Sequence, residues 1–197
     1  MRRSVLLLSV LTASLALPAQ TAGSAPNGWI LAGTKPADYR SGVDPDGTAF
    51  LASKDGATTN AQFFGTMMQY IGADNYAGKR VRFHAMVRSQ GVADWAGLWM
   101  RVDRGTQAVA FDNMQNRPIK GSTTWTPYDV VLEIPLGATG IGFGTLVAGP
   151  GEVWLDQLSL EVVGPEVHST DIMTGIHKPP AAPIGPPLAP VNLDFKH

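Results

Sequence analysis

The stretch Trp95-Ala96-Gly97-Leu98-Trp99-Met100-Arg101-Val102-Asp103 alternates strictly between two kinds of side chain. Successive side chains of a β-strand point to opposite faces of its sheet. One face of this strand therefore carries only Ala96, Leu98, Met100 and Val102, while the other carries two tryptophans, Gly97, an arginine and a carboxylate. The apolar face predicts a strand over Ala93–Asp103 that covers a hydrophobic core on one side only.

The preceding run, Lys79–Ser89, alternates in the same way, with Val81, Phe83, Ala85 and Val87 on one face. Its other face carries Arg82, His84, Met86 and Arg88. We expect the two runs to form neighbouring strands, because the connection between them is short. That pairing would bring His84 toward the surface that carries Trp95, Trp99 and Arg101.

Seven further runs are typical of short strands bounded by glycine, proline and aspartate turns. They are Gly28–Ala32, Thr48–Ser53, Gln62–Ile71, Ala108–Asn113, Trp125–Ile134, Gly140–Val147 and Glu152–Val163. A change of register in the last run predicts a bulge near Asp156 and Gln157, and Gly72–Asn75 is a candidate helical turn. Nine strands without a crossover helix predict an all-β protein, an antiparallel β-sandwich of the jelly-roll type.

The chain divides into three parts by composition. Residues 1–25 have the basic start, apolar centre and small-residue end of a signal peptide, and the apolar centre of about fourteen residues is too short for a membrane span. Residues 26–163 form the sandwich domain, which has no cysteine and is therefore held by its core alone. Residues 164–197 are a proline-rich tail, whose end, Val191–Phe195, either pairs with a sheet edge or frays. We expect an exported protein, periplasmic or extracellular.

The formal net charge is -1, without runs of like charge. Nucleic acid and anionic membrane surfaces attract strongly basic proteins, so neither is an expected partner. A neutral or weakly charged ligand fits this composition better.

Aromatic and hydrogen-bonding side chains away from the core are the candidate ligand site. Trp95, Trp99 and Arg101 suit a flat polar ring, which an indole covers and an arginine hydrogen-bonds; the alternative is that a loop or the tail covers the tryptophans. Trp154 also points away from the core and is a third aromatic candidate. After the strand Ala108–Asn113 we expect Asp112, Asn113 and Gln115 to bind ligand, or Asp112 and Asn113 simply to turn the chain.

Glycines on the outer face of Gly140–Val147 predict a close approach to the backbone. Gly142 and Gly144 weaken the strand, and such glycines often mark a place where another group lies against it. Either a ligand or an aromatic side chain of the next strand would fill this space.

Several motifs together resemble a bacterial group of galactose-binding-like jelly-roll domains. They are Gly28-Trp29, Trp95–Asp103, Ala110–Gln115, Arg117–Gly121, Trp125–Tyr128 and Val153–Leu158. The group is similar in outline to the sandwich carbohydrate-binding modules, and its members are sometimes attached to transcription regulators. The resemblance implies a ligand on the concave sheet at Trp95, Trp99 and Arg101, and a structural calcium ion held by Asp156.

Three functions remain open from the sequence. The first is a non-catalytic binding module for a saccharide or a similar small polar ring ligand. The second is a glycan-active lyase, hydrolase or isomerase that uses His84 and Asp103 as acid or base. The third is an envelope scaffold whose aromatic face binds a protein. No cofactor other than the calcium ion is expected.

Overall fold

The computed structural model describes residues 25–56, 61–173 and 185–196, so nearly all of the expected signal peptide, residues 1–25, lies outside the described residues. The all-β expectation is confirmed, because the described ranges contain one 3₁₀ turn, Pro36–Asp38, and otherwise strands without an α-helix. None of their elements is a helix long and apolar enough to cross a membrane. The strands are β1 (Ile30–Gly33), β2 (Tyr39–Val43), β3 (Ala49–Ser53), β4 (Phe64–Gly72), β5 (Lys79–Arg104), β6 (Gln107–Asp112), β7 (Ile119–Ile134), β8 (Gly140–Ala148) and β9 (Glu152–Val163).

The strands form two layers that share one long strand. The C-terminal half of β5 pairs with β8 and β6, and β8 continues through β4 to β1; we call this the first sheet. The N-terminal half of β5 pairs with β9 and β7, and β9 continues through β3 to β2; we call this the second sheet. All of these pairs are antiparallel, as predicted.

The apolar faces of both halves of β5 meet in one core. Phe83 of the second sheet packs against Phe143 of the first, with ring centroids 5.1 Å apart. The eight residues that alternation assigned to the core are fully buried in the same cluster: Val81, Phe83, Ala85, Val87, Ala96, Leu98, Met100 and Val102. The prediction of the core face is therefore confirmed for both runs.

The expected pairing of Lys79–Ser89 with Ala93–Asp103 is wrong. The two runs are halves of a single 26-residue strand, β5, and each half pairs with different partners. The strand changes from β9 to β8 between Gln90 and Trp95, opposite the turn that joins β8 to β9. Gly149 and Gly151 make that turn with positive φ angles of 72° and 141°, which favour glycine. His84 is consequently on the other sheet from Trp95 and Trp99.

Other local expectations have mixed outcomes. The bulge in β9 is confirmed, since His84 and Met86 of β5 face Ser159 and Asp156, and Gln157 has a φ of 52°. The candidate helical turn at Gly72–Asn75 is found slightly later, as a single turn over residues 74–78 in which the Ala77 N–H donates to the Ala73 carbonyl oxygen at 3.0 Å. The strand β2 was not predicted, because Tyr39–Val43 contains a serine and a glycine and shows no alternation.

The end of the proline-rich tail docks on the domain without forming a strand. Phe195 is buried in the core and its ring lies 5.5 Å from that of Trp29. The Trp29 indole donates to the carbonyl oxygen of Asn192 at 3.1 Å, and the Val191 N–H donates to Gln69 at 3.0 Å. The residues 185–196 thus pack beside β1 and β4 and belong to the folded unit.

Candidate functional site

The face of the first sheet that points away from the core is covered by its own side chains. Trp99 lies at its centre and is only 8% exposed, surrounded by Phe64, Met68, Trp95, Phe111 and Leu146. Its indole N–H donates to the Thr66 hydroxyl oxygen at 2.7 Å. We call this surface the Trp99 face. The expectation that Trp99 is an open stacking platform is wrong, because neighbours on the same sheet bury the ring.

Gly142 explains how Trp99 lies flat on the sheet. A Cβ atom at Gly142 would lie 3.3 Å from two atoms of the Trp99 ring and 3.3 Å from the Tyr70 ring. At Gly142 the approaching group is therefore an aromatic side chain, one of the two alternatives that the glycines left open, whereas at Gly144 it is the backbone of β4 at Met67 and Met68. The absence of a side chain lets the indole reach across β8 from β5 to β4.

Arg101 and Asp103 form a partly buried polar cluster at one end of the Trp99 face. The Arg101 Nε atom lies 2.9 Å from Asp103 Oδ1, and Tyr70 donates its hydroxyl proton to Asp103 Oδ2 at 3.0 Å. Burial raises the pKa of Tyr70 well above its usual value, and the Asp103 carboxylate raises it further. Asp103 is 1% exposed, so its role in the structure is to hold Arg101 and Tyr70.

Trp95 lies at the other end of the Trp99 face and is only partly buried. It lines an open pocket of about 190 Å³ together with Gln115, Pro118 and Lys120. Pockets for drug-sized ligands measure about 300–1,000 Å³, so this one suits a single ring. Of the predicted ligand residues, Trp95 and Gln115 are those that the structure brings together at an opening.

The loop after β6 is built around a buried carboxylate. Asp112 is fully buried, accepts the Met114 N–H at 2.8 Å and is paired with Arg117, whose Nη1 lies 3.1 Å from Asp112 Oδ1. Asn113 accepts the Gln115 N–H at 3.2 Å. The interpretation of Asp112 as a ligand-binding residue is wrong because no ligand could reach it; the alternative, that Asp112 and Asn113 shape the loop, is what the structure shows.

Trp154 lies on the second sheet and is also covered. It is 7% exposed, and its indole N–H donates to Asp44 at 2.8 Å. Its ring packs with Phe50 and lies beneath the Arg88 guanidinium. Trp154 does point away from the core, as predicted, but it is not an open platform. It lies on the second sheet, whereas the Trp95 pocket lies on the first.

The two residues considered for catalysis do not converge. His84 lies on the second sheet, where its Nδ1 is 2.7 Å from Asp129 Oδ1. Asp103 lies on the first sheet, within the cluster that contains Arg101 and Tyr70. A general acid and base must approach one substrate from set positions, and these side chains face away from the core on different sheets.

The surroundings of Asp156 do not fit a calcium site. Calcium takes about six to eight oxygen ligands, yet the residue opposite Asp156 on β5 is Met86, whose side chain offers no oxygen. Asp156 Oδ1 instead accepts the Gln157 N–H at 2.8 Å. Across residues 25–56, 61–173 and 185–196, no three His, Cys, Asp or Glu side chains are grouped to hold a metal ion.

Some residues of these surfaces were missed by the sequence analysis. Pro118 lies in the same loop as Gln115, Lys120 lies at the start of β7, and Phe111 alternates with buried residues of β6. Tyr70 was assigned only to a strand. The alternation of β4 could have placed Thr66, Met68 and Tyr70 on one face, but only the pairing with β8 shows that this face meets Trp99.

The fold is shared with solved structures of very different sequence. A carbohydrate-binding and catalytic module pair of Clostridium thermocellum xylanase 10B, solved with xylohexaose, superposes with a TM-score of 0.51 at 12% identity, over 75% of this chain and 28% of that chain. The chain has the fold of the sandwich carbohydrate-binding modules. The xylan-binding domain of Paenibacillus barcinonensis Xyn10C gives a TM-score of 0.48 at 13% identity, over 72% of this chain and 90% of that one. A cyclase of Fischerella sp. TAU gives a TM-score of 0.49 at 15% identity, over 74% of this chain and 91% of that one.

In sequence, the chain matches a relative from Bacillus subtilis (strain 168), described as an uncharacterized HTH-type transcriptional regulator YbfP. The two are 41% identical over 150 residues, which is 74% of this chain and 51% of the relative. The chain therefore spans about half the length of the curated relative it matches. No protein-family model matches the chain.

Proposed function

We propose that this protein is an exported, non-catalytic binding module for a saccharide or a similar small polar ring ligand, periplasmic or extracellular. The observation that carries the proposal is the pocket beside Trp95. There a partly exposed indole stands next to the amide of Gln115 and the ammonium of Lys120, at an opening the size of one ring. An aromatic face beside a few hydrogen-bonding groups is the arrangement that binds sugar rings.

The rigid surroundings of the Trp95 pocket also support ligand binding there. Trp95 belongs to the well-packed cluster around Trp99, and the loop that carries Gln115 is held by the buried Asp112 and Arg117 pair. A preformed site loses little conformational entropy when ligand binds. Arg101, at the other end of the Trp99 face, is engaged with Asp103 and would contact only a ligand longer than one ring.

The enzymatic alternative has weaker support, because His84 and Asp103 lie on different sheets. The envelope scaffold remains the alternative in which the partly exposed Trp95 and Phe111 meet a protein partner. A pocket with converging polar groups favours a small ligand over a flat protein surface.

The relative named as a transcriptional regulator adds a second candidate. The half of that protein that matches this chain would be its ligand-sensing part, and DNA binding would belong to the rest. The part of this chain that the structure describes contains no α-helix, and so no helix-turn-helix. A module that binds one ligand could serve an exported protein and a regulator alike.

A glycan array followed by calorimetry on the full chain tests the proposal. We expect a class of neutral saccharides to bind, and Trp95→Ala to weaken its affinity by about tenfold or more, the effect of losing one aromatic contact. Gln115→Ala should weaken binding less, while Leu136→Ala, at an exposed position distant from the pocket, is the matched control. Binding that survives Trp95→Ala unchanged, or no binding of any saccharide, would contradict the proposal.

A further inference from the structure

The second sheet carries an arginine held between two indole rings. Arg88 lies on the face of β5 that points away from the core, opposite Trp154 of β9. Its Cζ atom is 4.2 Å from the ring centroid of Trp154 and 5.4 Å from that of Trp125. Both distances are within the range of cation–π attraction, so the rings fix the position of the guanidinium group.

Arg88 differs from the other basic residues on this face of β5. Each of the others is joined to a carboxylate of a neighbouring strand: Arg80 to Glu133, Arg82 to Glu161 and His84 to Asp129. Within the described ranges Arg88 has no such carboxylate, and its Nε–H is buried without an acceptor. A guanidinium group has five N–H donors, and the partly exposed Arg88 keeps donors for a ligand.

The acidic side chains near Arg88 already have other partners. Asp44 accepts the Trp154 indole N–H at 2.8 Å, Asp46 accepts the Thr48 N–H at 3.0 Å, and Glu152 lies 3.3 Å from Arg40. Their negative charges still surround the site. They would repel a ligand with several negative charges more strongly than a ligand with one carboxylate.

Trp125 supplies the second half of the site. Its side chain is 37% exposed and lies on β7, beside Arg88. An exposed indole beside an arginine offers a flat apolar surface for a ring and a fork of donors for a carboxylate. We infer that Arg88 and Trp125 form a second ligand site, on the opposite side of the sandwich from the Trp95 pocket, for a sugar ring that carries one carboxylate.

A nuclear magnetic resonance titration of the full chain with methyl β-glucuronide tests the inference, with the Trp125 indole N–H as the reporter. We expect a saturable shift with a dissociation constant of about 1 mM or below. The neutral methyl β-glucoside should bind about tenfold more weakly, because it cannot accept the charge-assisted bonds of Arg88. Inorganic phosphate should also bind more weakly, because it gains nothing from the Trp125 ring.

Substitutions test whether glucuronide binds at Arg88 and not elsewhere on the protein. Arg88→Gln should weaken glucuronide binding by about tenfold or more, and Arg88→Lys, which keeps the charge but loses the fork, by a smaller factor. Arg82→Gln removes a paired arginine of the same strand face and is the matched control. Trp95→Ala should leave glucuronide binding unchanged, so this test and the test of the Trp95 pocket can fail independently.

Four outcomes would overturn the inference. Three are a wild-type titration without a saturable shift, equal binding of glucuronide and glucoside, and phosphate binding as tight as that of glucuronide. The fourth is loss of glucuronide binding in Trp95→Ala, which would place the carboxylate-binding site at the Trp95 pocket. The wild-type titrations decide the matter even where Arg88→Gln does not fold.

Discussion

Trp99 on β5 donates its indole N–H to Thr66 on β4 at 2.7 Å, although β8 lies between these strands. The ring spans the middle strand above Gly142. A side chain on the face away from the core is therefore fixed by a buried hydrogen bond and close packing, as a core residue would be.

Replacing Trp99 tests this view of the Trp99 face. Trp99→Ala should lower the free energy of unfolding by about 3–5 kcal/mol, a loss comparable to that from Leu98→Ala on the core side of the same strand. Urea denaturation of the two variants gives the comparison, with Trp125→Ala as an exposed tryptophan control. A cost below about 1 kcal/mol for Trp99→Ala would mean that the ring is a surface feature.

The buried Asp112 and its partly exposed partner Arg117 should control the loop that carries Gln115. Asp112→Ala leaves Arg117 without its carboxylate and the Met114 N–H without its acceptor, so we expect a loss of about 1–3 kcal/mol. The double variant Asp112→Ala/Arg117→Ala should lose less than the two single variants added together. Additive losses in this double-mutant cycle would show that the pair is not coupled.

Tyr39 should make the protein sensitive to alkaline pH. Burial raises the pKa of its hydroxyl to about 12, whereas an unfolded tyrosine ionises near pH 10. Because the folded pKa is the higher one, this stability is fully present below about pH 10 and falls by about 2–3 kcal/mol as the pH rises to about 12.

Urea denaturation at several alkaline pH values, for wild type and Tyr39→Phe, measures that contribution. The variant loses the hydroxyl contacts with the carbonyl oxygens of Phe63 and Gly149, at 3.0 and 3.1 Å, so it should start less stable at neutral pH. Its stability should then fall less steeply above about pH 10. Parallel curves for the two proteins would assign the alkaline loss to other groups, such as Tyr70.

Phe195 should stabilise the whole domain although it follows the proline-rich segment. Phe195→Ala removes a buried ring that contacts Trp29, and we expect a loss of about 3–5 kcal/mol in the free energy of unfolding. Lys196→Ala, at the exposed next position, should change stability by less than about 0.5 kcal/mol. Equal thermal midpoints for Phe195→Ala and Lys196→Ala would show that the end of the tail is not docked in solution.

Alternation predicted the core faces of β5 because a period of two depends only on the strand itself. It could not predict that Lys79–Ser89 and Ala93–Asp103 are one strand, since Gly91, with a φ of 59°, makes a local irregularity with a register shift against β7 instead of a reversal of the chain. It also assigned Trp99 and Trp154 to the correct side of their sheets but not their exposure. Exposure depends on residues from other parts of the chain, such as Thr66 on β4 and Asp44 just after β2, whose positions follow from pairing over long sequence distances.

The contact between Trp29 and Phe195 also bears on when the domain can fold. The first strand and the last docked residue are among the most distant parts of the chain in sequence, and contacts of this kind slow folding because a long loop must close. The core is incomplete until Phe195 has been synthesised, so a nascent chain would expose the Trp29 surface until that residue can dock.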